Sequence, residues 1–236
     1  MRRGRDVEWR DEQDWPLPGT QWRSLYLGHN ELSWQQPTEH RTPYPAEFDF
    51  TATEQLELTG PLALRLWISH STDDLDVFVQ LEQYDVDGER IPAIGPGGTA
   101  TPVPMAVGWL RAAHRKLDPG RSLPHRPWHT HDELQPLEPG VPTLLEVEIW
   151  PTSITLEPGQ RLRLRVQADD ENMGRLAHND PADRKNGHGA TIHLGGAHAS
   201  HLYVPVIPVQ PQPDGQVRRT SASRNTATMS AAVSTR

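Results

Sequence analysis

The sequence predicts an all-β fold, two packed antiparallel sheets in a sandwich or jelly roll. Three observations carry this. Apolar and polar residues alternate in about eight short runs, the period of a strand with one buried face. Gly/Pro-rich turn sequences separate the runs. No stretch keeps a helical period beyond two turns, and 23 of the 236 residues are Pro, which lacks the N–H a helix interior needs. Strands buried on both faces, as in a parallel sheet, would instead read as continuous apolar runs.

Residues 1–45 open the chain without a clear period, yet hold Trp9, Trp15, Trp22 and Trp34, half of the eight Trp, with Leu17, Leu25, Tyr26 and Leu27. Disordered segments are poor in aromatics. The stretch therefore reads as an extended arm that docks, on its own sandwich or on a partner. Leu56 to Leu58 is the first run, and Gly60-Pro61 is read as a turn. In the next run Leu62, Leu64, Leu66 and Ile68 point one way. In the third, Leu75, Val77, Val79 and Leu81 point inward, and Asp87-Gly88 follows as a hairpin turn. Ile91 to Pro104 reads as a long loop, and Met105 to Ala112 as a strand carrying Trp109 and Leu110. Leu144 to Trp150 alternates, as does Arg161 to Val166, with the Pro158-Gly159 turn between them. Arg161, Arg163 and Arg165 are expected on a solvated face. Ala190 to Leu194 and His201 to Val206 complete the sandwich over 46–208. Residues 209–236 have too few apolar groups to bury and read as a disordered tail.

Charge narrows the function classes. The chain carries −8 and residues 209–236 carry +3, which leaves −11 on residues 1–208. An acidic body does not suit nucleic acid, which needs clustered positive charge. No apolar run approaches the roughly 18 residues of a membrane helix, and Met1-Arg2-Arg3-Gly4-Arg5 leads into no apolar stretch of a secretory signal. The absence of Cys excludes disulfides, a thiol nucleophile and a Cys-ligated zinc site. Localisation stays open, with the cytoplasm slightly favoured.

Candidate chemistry is sparse. None of the eleven serines lies in the Gly-x-Ser-x-Gly elbow of an α/β serine hydrolase. Ser200, in His198-Ala199-Ser200-His201, has nearby imidazoles but lacks flanking glycines. His125, His129 and His131 cluster with Asp132 and Glu133, and alternation would place His129 and His131 on one strand face as a possible zinc pair, with His114 a third ligand. Arg115 and Arg126 would repel a cation, which favours histidines bonded to loop backbone. His178, His188, His193, His198 and His201 share no helix face. Asp73-Asp74-Leu75-Asp76 and Asp85 to Glu89 are oxygen-rich, but neither completes a calcium loop. No cofactor is expected.

The order of local motifs carries more information than any single site. Trp15-Pro16-Leu17-Pro18 and Leu25-Tyr26-Leu27 precede Leu58 to Trp67 and Thr72 to Leu81. Then come Asp85 to Gly88, Trp109 to Asp118, Arg126 to His131, Leu137 to Gly140, Trp150 to Ser153, Gly159 to Leu164 and Ser200 to Pro208. Over about residues 6–208 this series resembles the C-terminal domain of the Xaa-Pro dipeptidyl-peptidase and cocaine-esterase-like (CocE/NonD) acyl hydrolases. The Trp109–Asp118 and Arg126–His131 blocks are its most specific part.

The resemblance implies a galactose-binding-like jelly roll that follows an α/β-hydrolase domain. In complete members a Ser-His-Asp triad cleaves Xaa-Pro amides or acyl esters through an acyl-enzyme. No position here matches the elbow, the acid or the His of that triad, so no catalytic residue carries over. The expectation is an accessory β domain that partners an α/β-hydrolase domain or chain. Trp109, Arg111, His114, Arg115, Arg126, Trp128, His129 and His131 are candidates for the domain interface or for loop bracing. The alternatives are a stand-alone carbohydrate-binding module, suggested by the jelly roll and its Trp, and a structural or homo-oligomerising module. A separated accessory domain should also expose a partly apolar face, formed by 1–45 and the 109–131 loops.

Overall fold

The computed structural model describes residues 2–3, 6–7, 10–94, 100–101, 103–170 and 189–208. Trp9, His178, His188 and the tail 209–236 lie outside the described residues. The chain is almost entirely β. In order, the strands are β1 (Arg2–Arg3), β2 (Asp6–Val7), β3 (Gln21–Leu27), β4 (Leu32–Ser33), β5 (His40–Pro43), β6 (Ala46–Thr51), β7 (Leu56–Ser69) and β8 (Asp76–Tyr84). They continue as β9 (Arg90–Ile91), β10 (Ala93–Ile94), β11 (Ala100–Thr101), β12 (Ala106–Arg111), β13 (Thr143–Leu156), β14 (Arg161–Gln167), β15 (Thr191–Leu194) and β16 (His201–Ile207). Among the described residues no helix is long and apolar enough to cross a membrane.

One curved sheet folds back on itself in the order β4-β3-β16-β7-β13-β12-β8-β14-β6, with β15 and β5 extending from β7. Two narrow seams nearly close it. At one, β12 and β13 pair only at Gly108–Ile149. At the other, the Asp49 amide donates to the Asn30 carbonyl at 3.2 Å, beside a Glu31–Asp49 bridge. The first seam requires glycine: a Cβ on Gly108 would stand 2.2 Å from the Glu148 carbonyl oxygen.

Alternation places the core as the sequence predicts. Leu62, Leu64, Leu66 and Ile68 are fully buried, as are Leu75, Val77 and Leu81, opposite Leu145, Val147, Leu162 and Leu164. Each such side chain contributes roughly 2 kcal/mol of transfer free energy. Gln83 continues the inward row of β8 and is also fully buried. Its amide donates to the Thr155 carbonyl at 2.9 Å and to Gln160 Oε1 at 3.0 Å, which ties β8 to the β13–β14 turn.

Several local expectations change. Gly60-Pro61 is not a turn; β7 continues through it. The neighbouring strands slip in register there, β13 between Ile149 and Thr152 and β16 between Tyr203 and Val206. Gly60, at φ 149°, takes up the bend, and a Cβ there would meet Pro205 at 2.9 Å. The long apolar strand keeps two partners, which a reversal would forfeit. Gln21–Leu27 is a strand of the sheet itself, paired with β16 and β4. Ile91 to Pro104 contains the small β10–β11 hairpin. The Asp87-Gly88 turn forms as expected, with the Gly88 amide donating to the Asp85 carbonyl at 3.1 Å.

The Arg161/Arg163/Arg165 row is not a simple solvated face. Arg163 makes a two-pronged contact with Asp49, Nε–Oδ1 2.7 Å and Nη2–Oδ2 2.9 Å, and reaches Glu47 at 2.9 Å. Arg165 pairs with Glu47 at 2.8 Å and Arg161 with Asp49 at 3.4 Å. The alternation that turns these arginines outward sets them beside Glu47 and Asp49, because β14 and β6 pair at Arg163–Asp49 and Arg165–Glu47. That pairing is long-range and invisible locally.

Candidate interaction surface

The site is built on residues 112–137, which leave β12 and return to β13. A single 3-10 turn, Ala112–His114, starts the excursion. Asp74 anchors it: its carboxylate accepts from Arg111 Nε at 2.6 Å, from the Ala113 amide at 2.9 Å and from the Leu75 amide at 3.1 Å. Arg115 closes the far side. Its guanidinium donates to the carbonyls of Ala112, Gln135 and Pro136, and burial lowers its pKa. Arg111 and Arg115 thus brace the loop. Asp74, which the sequence offered as a weak calcium ligand, is the acceptor at its base.

The tip of the loop lies over β3 and β13. Leu123 and Arg126 exchange backbone hydrogen bonds at 3.0 and 2.9 Å, a tight reversal. It sets the His125 ring on Trp22, with centroids 4.0 Å apart and planes 11° from parallel. Trp22 continues to Tyr203 at 5.7 Å. Burial and the Arg126 charge both lower the His125 pKa. Arg126 is exposed, and its charge also acts on Glu148 of β13, whose pKa burial raises.

The three loop histidines come together without forming a metal centre. His114 Nδ1 lies 3.2 Å from His131 Nδ1, and the His129 and His131 rings are 6.0 Å apart. His129 and His131 do not share a strand face, since only a single bridge, Leu117–His129, forms there. His131 sits at φ 54°, a left-handed conformation uncommon outside glycine. His129 is the most perturbed. Burial, then the neighbouring His131, pushes its pKa down to about 4, against a hydrogen bond to the Glu146 backbone. It is neutral near pH 7. Lys116 is held by Asp132 at 3.2 Å and Glu133 at 2.9 Å. Among the described residues no group of three or more His, Asp or Glu is placed to hold a metal ion.

Ser200 is built into the sheet. It is fully buried; its Oγ donates to the His193 carbonyl and accepts from the Trp67 amide, both at 2.8 Å. A second Ser–His contact joins Ser69 Oγ and His193 Nε2 at 2.8 Å. Both residues are buried, and no carboxylate hydrogen-bonds His193 among the described residues. Burial, then Arg41 and His198, lowers the His193 pKa. An inaccessible hydroxyl with no third member does not make a nucleophile.

Beside the charged Arg121, Arg126, Asp132 and Glu133, the loop leaves large apolar side chains outside. Leu123 and Trp128 are exposed, with Arg121 over the Trp128 ring at 5.4 Å. Trp109 of β12 meets Trp150 of β13 edge to face at 5.4 Å, and the two are 37% and 52% exposed. Trp15 is exposed as well. The pairing of Trp109 with Trp150, the role of Asp74 and the Trp22–His125 stack were missed from sequence. Each joins residues 37 or more positions apart in the chain, and only the sheet order brings them together. A second feature, a cleft of about 640 Å³, opens beside β6 and β14, lined by Glu47, Asp49, Arg163 and Arg165. Those charges already pair with one another.

Comparison with known proteins identifies the family and the fold. A protein named as a serine esterase in Mycobacterium bovis is 31% identical over 158 residues, covering 64% of this chain and 22% of its own length. Cocaine esterase of Rhodococcus is 21% identical over 254 residues, covering 85% and 40%. The chain therefore spans between about a fifth and two fifths of these relatives. A CocE/NonD family hydrolase from Staphylococcus aureus has the same fold, with a TM-score of 0.75 at 24% identity over 85% of this chain and 39% of that one. The model of the X-Pro dipeptidyl-peptidase C-terminal non-catalytic domain matches residues 1–203, and the chain belongs to that family.

Proposed function

We propose that the chain is an accessory β domain that packs against an α/β-hydrolase catalytic domain or chain, and that the pair hydrolyses acyl esters or Xaa-Pro amides. The observation that carries this reading is the family match over residues 1–203 to a domain described as non-catalytic. The chemistry of the chain supports it. Ser200 and Ser69 use their hydroxyls inside the sheet, and the His114 and His131 rings contact each other. A β domain of this kind contributes by walling the entrance of a neighbouring site, excluding water and fixing loops.

The test is direct. The purified chain should turn over neither nitrophenyl esters nor proline-dipeptide chromogenic substrates above buffer. Turnover that a serine-directed phosphonate abolishes would overturn the reading.

A further inference from the structure

We propose that Trp109, Trp150, Trp128 and Leu123 form the face that docks the α/β-hydrolase domain; this rests on the accessory role above. The four side chains are exposed, yet their positions are fixed by well-held backbone. Trp109 and Trp150 flank the Gly108–Ile149 seam, where a single glycine allows two strands to meet. Trp128 is held by its own backbone: its amide donates to Ser122 Oγ at 3.0 Å and its carbonyl accepts from the Asp118 amide at 2.9 Å. Leu123 belongs to the reversal that His125 pins onto Trp22.

Rigid exposed tryptophans are the residues that most often dominate interface energetics. Fixing them in advance lowers the entropy lost on docking. The arginine row of β14, two strands from Trp109, does not suit a partner in this way, since its arginines are matched by acids of β6.

The occupant follows from what the relatives contain beyond this chain. The matched part is 22% of the mycobacterial protein and 40% of the Rhodococcus one, so in both the β domain adjoins a larger body. Arg126 and Glu148 of β13, both exposed, offer one charge of each sign near this face. That pair fixes orientation more than it adds affinity.

The experiment grafts this whole chain into Rhodococcus cocaine esterase in place of the segment it matches, and measures hydrolysis of nitrophenyl acetate and thermal melting. The Trp109→Ser/Trp150→Ser graft should lose at least tenfold in activity, or melt at least 5 °C lower than the unmutated graft. The same pair in the isolated chain should shift its melting by under about 2 °C, because the side chains are exposed. A Val86→Ser graft, changed at an exposed residue of the Asp85–Glu89 turn, should match the unmutated one. If the double-serine graft performs as well as the unmutated graft, the assigned face is wrong. If the unmutated graft itself is inactive, the accessory reading fails. If the isolated chain is a dimer by light scattering that the two serines split, the face belongs to a second copy and the proposal is overturned.

Discussion

On the outer face of β6, β14 and β8, each arginine of the 161, 163, 165 row has an acid across the strand. On the outer face of β3, β16, β7 and β13, the covering is a loop. Asp74 and Arg115 hold its base, Trp22 stacks on its tip, and it shows tryptophan and leucine to solvent. The first face pairs its arginines with acids of the adjacent strand, with Arg161 Nε left buried and unbonded. The second is braced at its base and leaves large apolar side chains exposed on top. A surface that pairs its own charges needs no neighbour. A surface that rigidifies itself while exposing apolar area is shaped for one.

The sharpest way to break this comparison is at the seam on which both halves depend. Gly108→Ala places a methyl 2.2 Å from the Glu148 carbonyl, so β12 and β13 must separate. The expected cost is about 3 kcal/mol or more, by overpacking against backbone. Melting should fall by about 10 °C. Gly120→Ala is the control: its Cβ would find only Asp118 Oδ1, at 3.4 Å, and melting should stay within about 2 °C. Equal stability of the two variants would mean that the two halves of the sheet do not meet at Gly108.

How much of this was legible depends on the range of the interaction. The inward rows of β7, β8, β13 and β14 are local patterns of period two, and the sequence displays them openly. The Asp87-Gly88 and Pro158-Gly159 turns are equally local. Gly60-Pro61 misled because the same dipeptide serves a turn or a bend; two bulged neighbours decide, and they lie about 90 and 145 positions away. The arginine row was legible as outward and illegible as paired, because its acids sit on β6. Trp109, Trp128 and the loop histidines were singled out by their motif blocks. Asp74, the atom set that holds Arg111 and the Ala113 amide, was read as cation chemistry because a run of acids looks the same in either use.

The covered face can be sharpened through His129. Its folded-state pKa, about 4, lies below the ordinary imidazole value of 6.5. The unfolded chain therefore binds the proton first as pH falls. The stability contributed by the neutral ring is complete above pH 6.5 and is lost between there and pH 4. Allowing for the partial exposure of the ring, the loss is about 1–2 kcal/mol at pH 4.5. His129→Gln keeps an amide donor for the Glu146 backbone and does not titrate. Urea melts at pH 7 and 4.5 should show the wild type losing that much more than the variant. Parallel losses would place His129 in solvent and detach the loop from β13.

The charged face predicts a smaller effect of a different kind. The double-mutant coupling between Arg163 and Asp49, through Arg163→Met and Asp49→Asn, should be about 1 kcal/mol: the contact is two-pronged and half-buried, so it exceeds the usual surface pair. Raising the salt to 1 M shrinks the screening length to about 3 Å, and should reduce the coupling only in part. Arg65–Glu146, a single contact at 3.2 Å on the loop-covered face, should give roughly 0.3 kcal/mol and lose it in salt. If the two couplings were equal, the β6–β14 ladder would be an ordinary surface, and the reason for assigning the partner to the tryptophan face rather than to the arginine face would disappear.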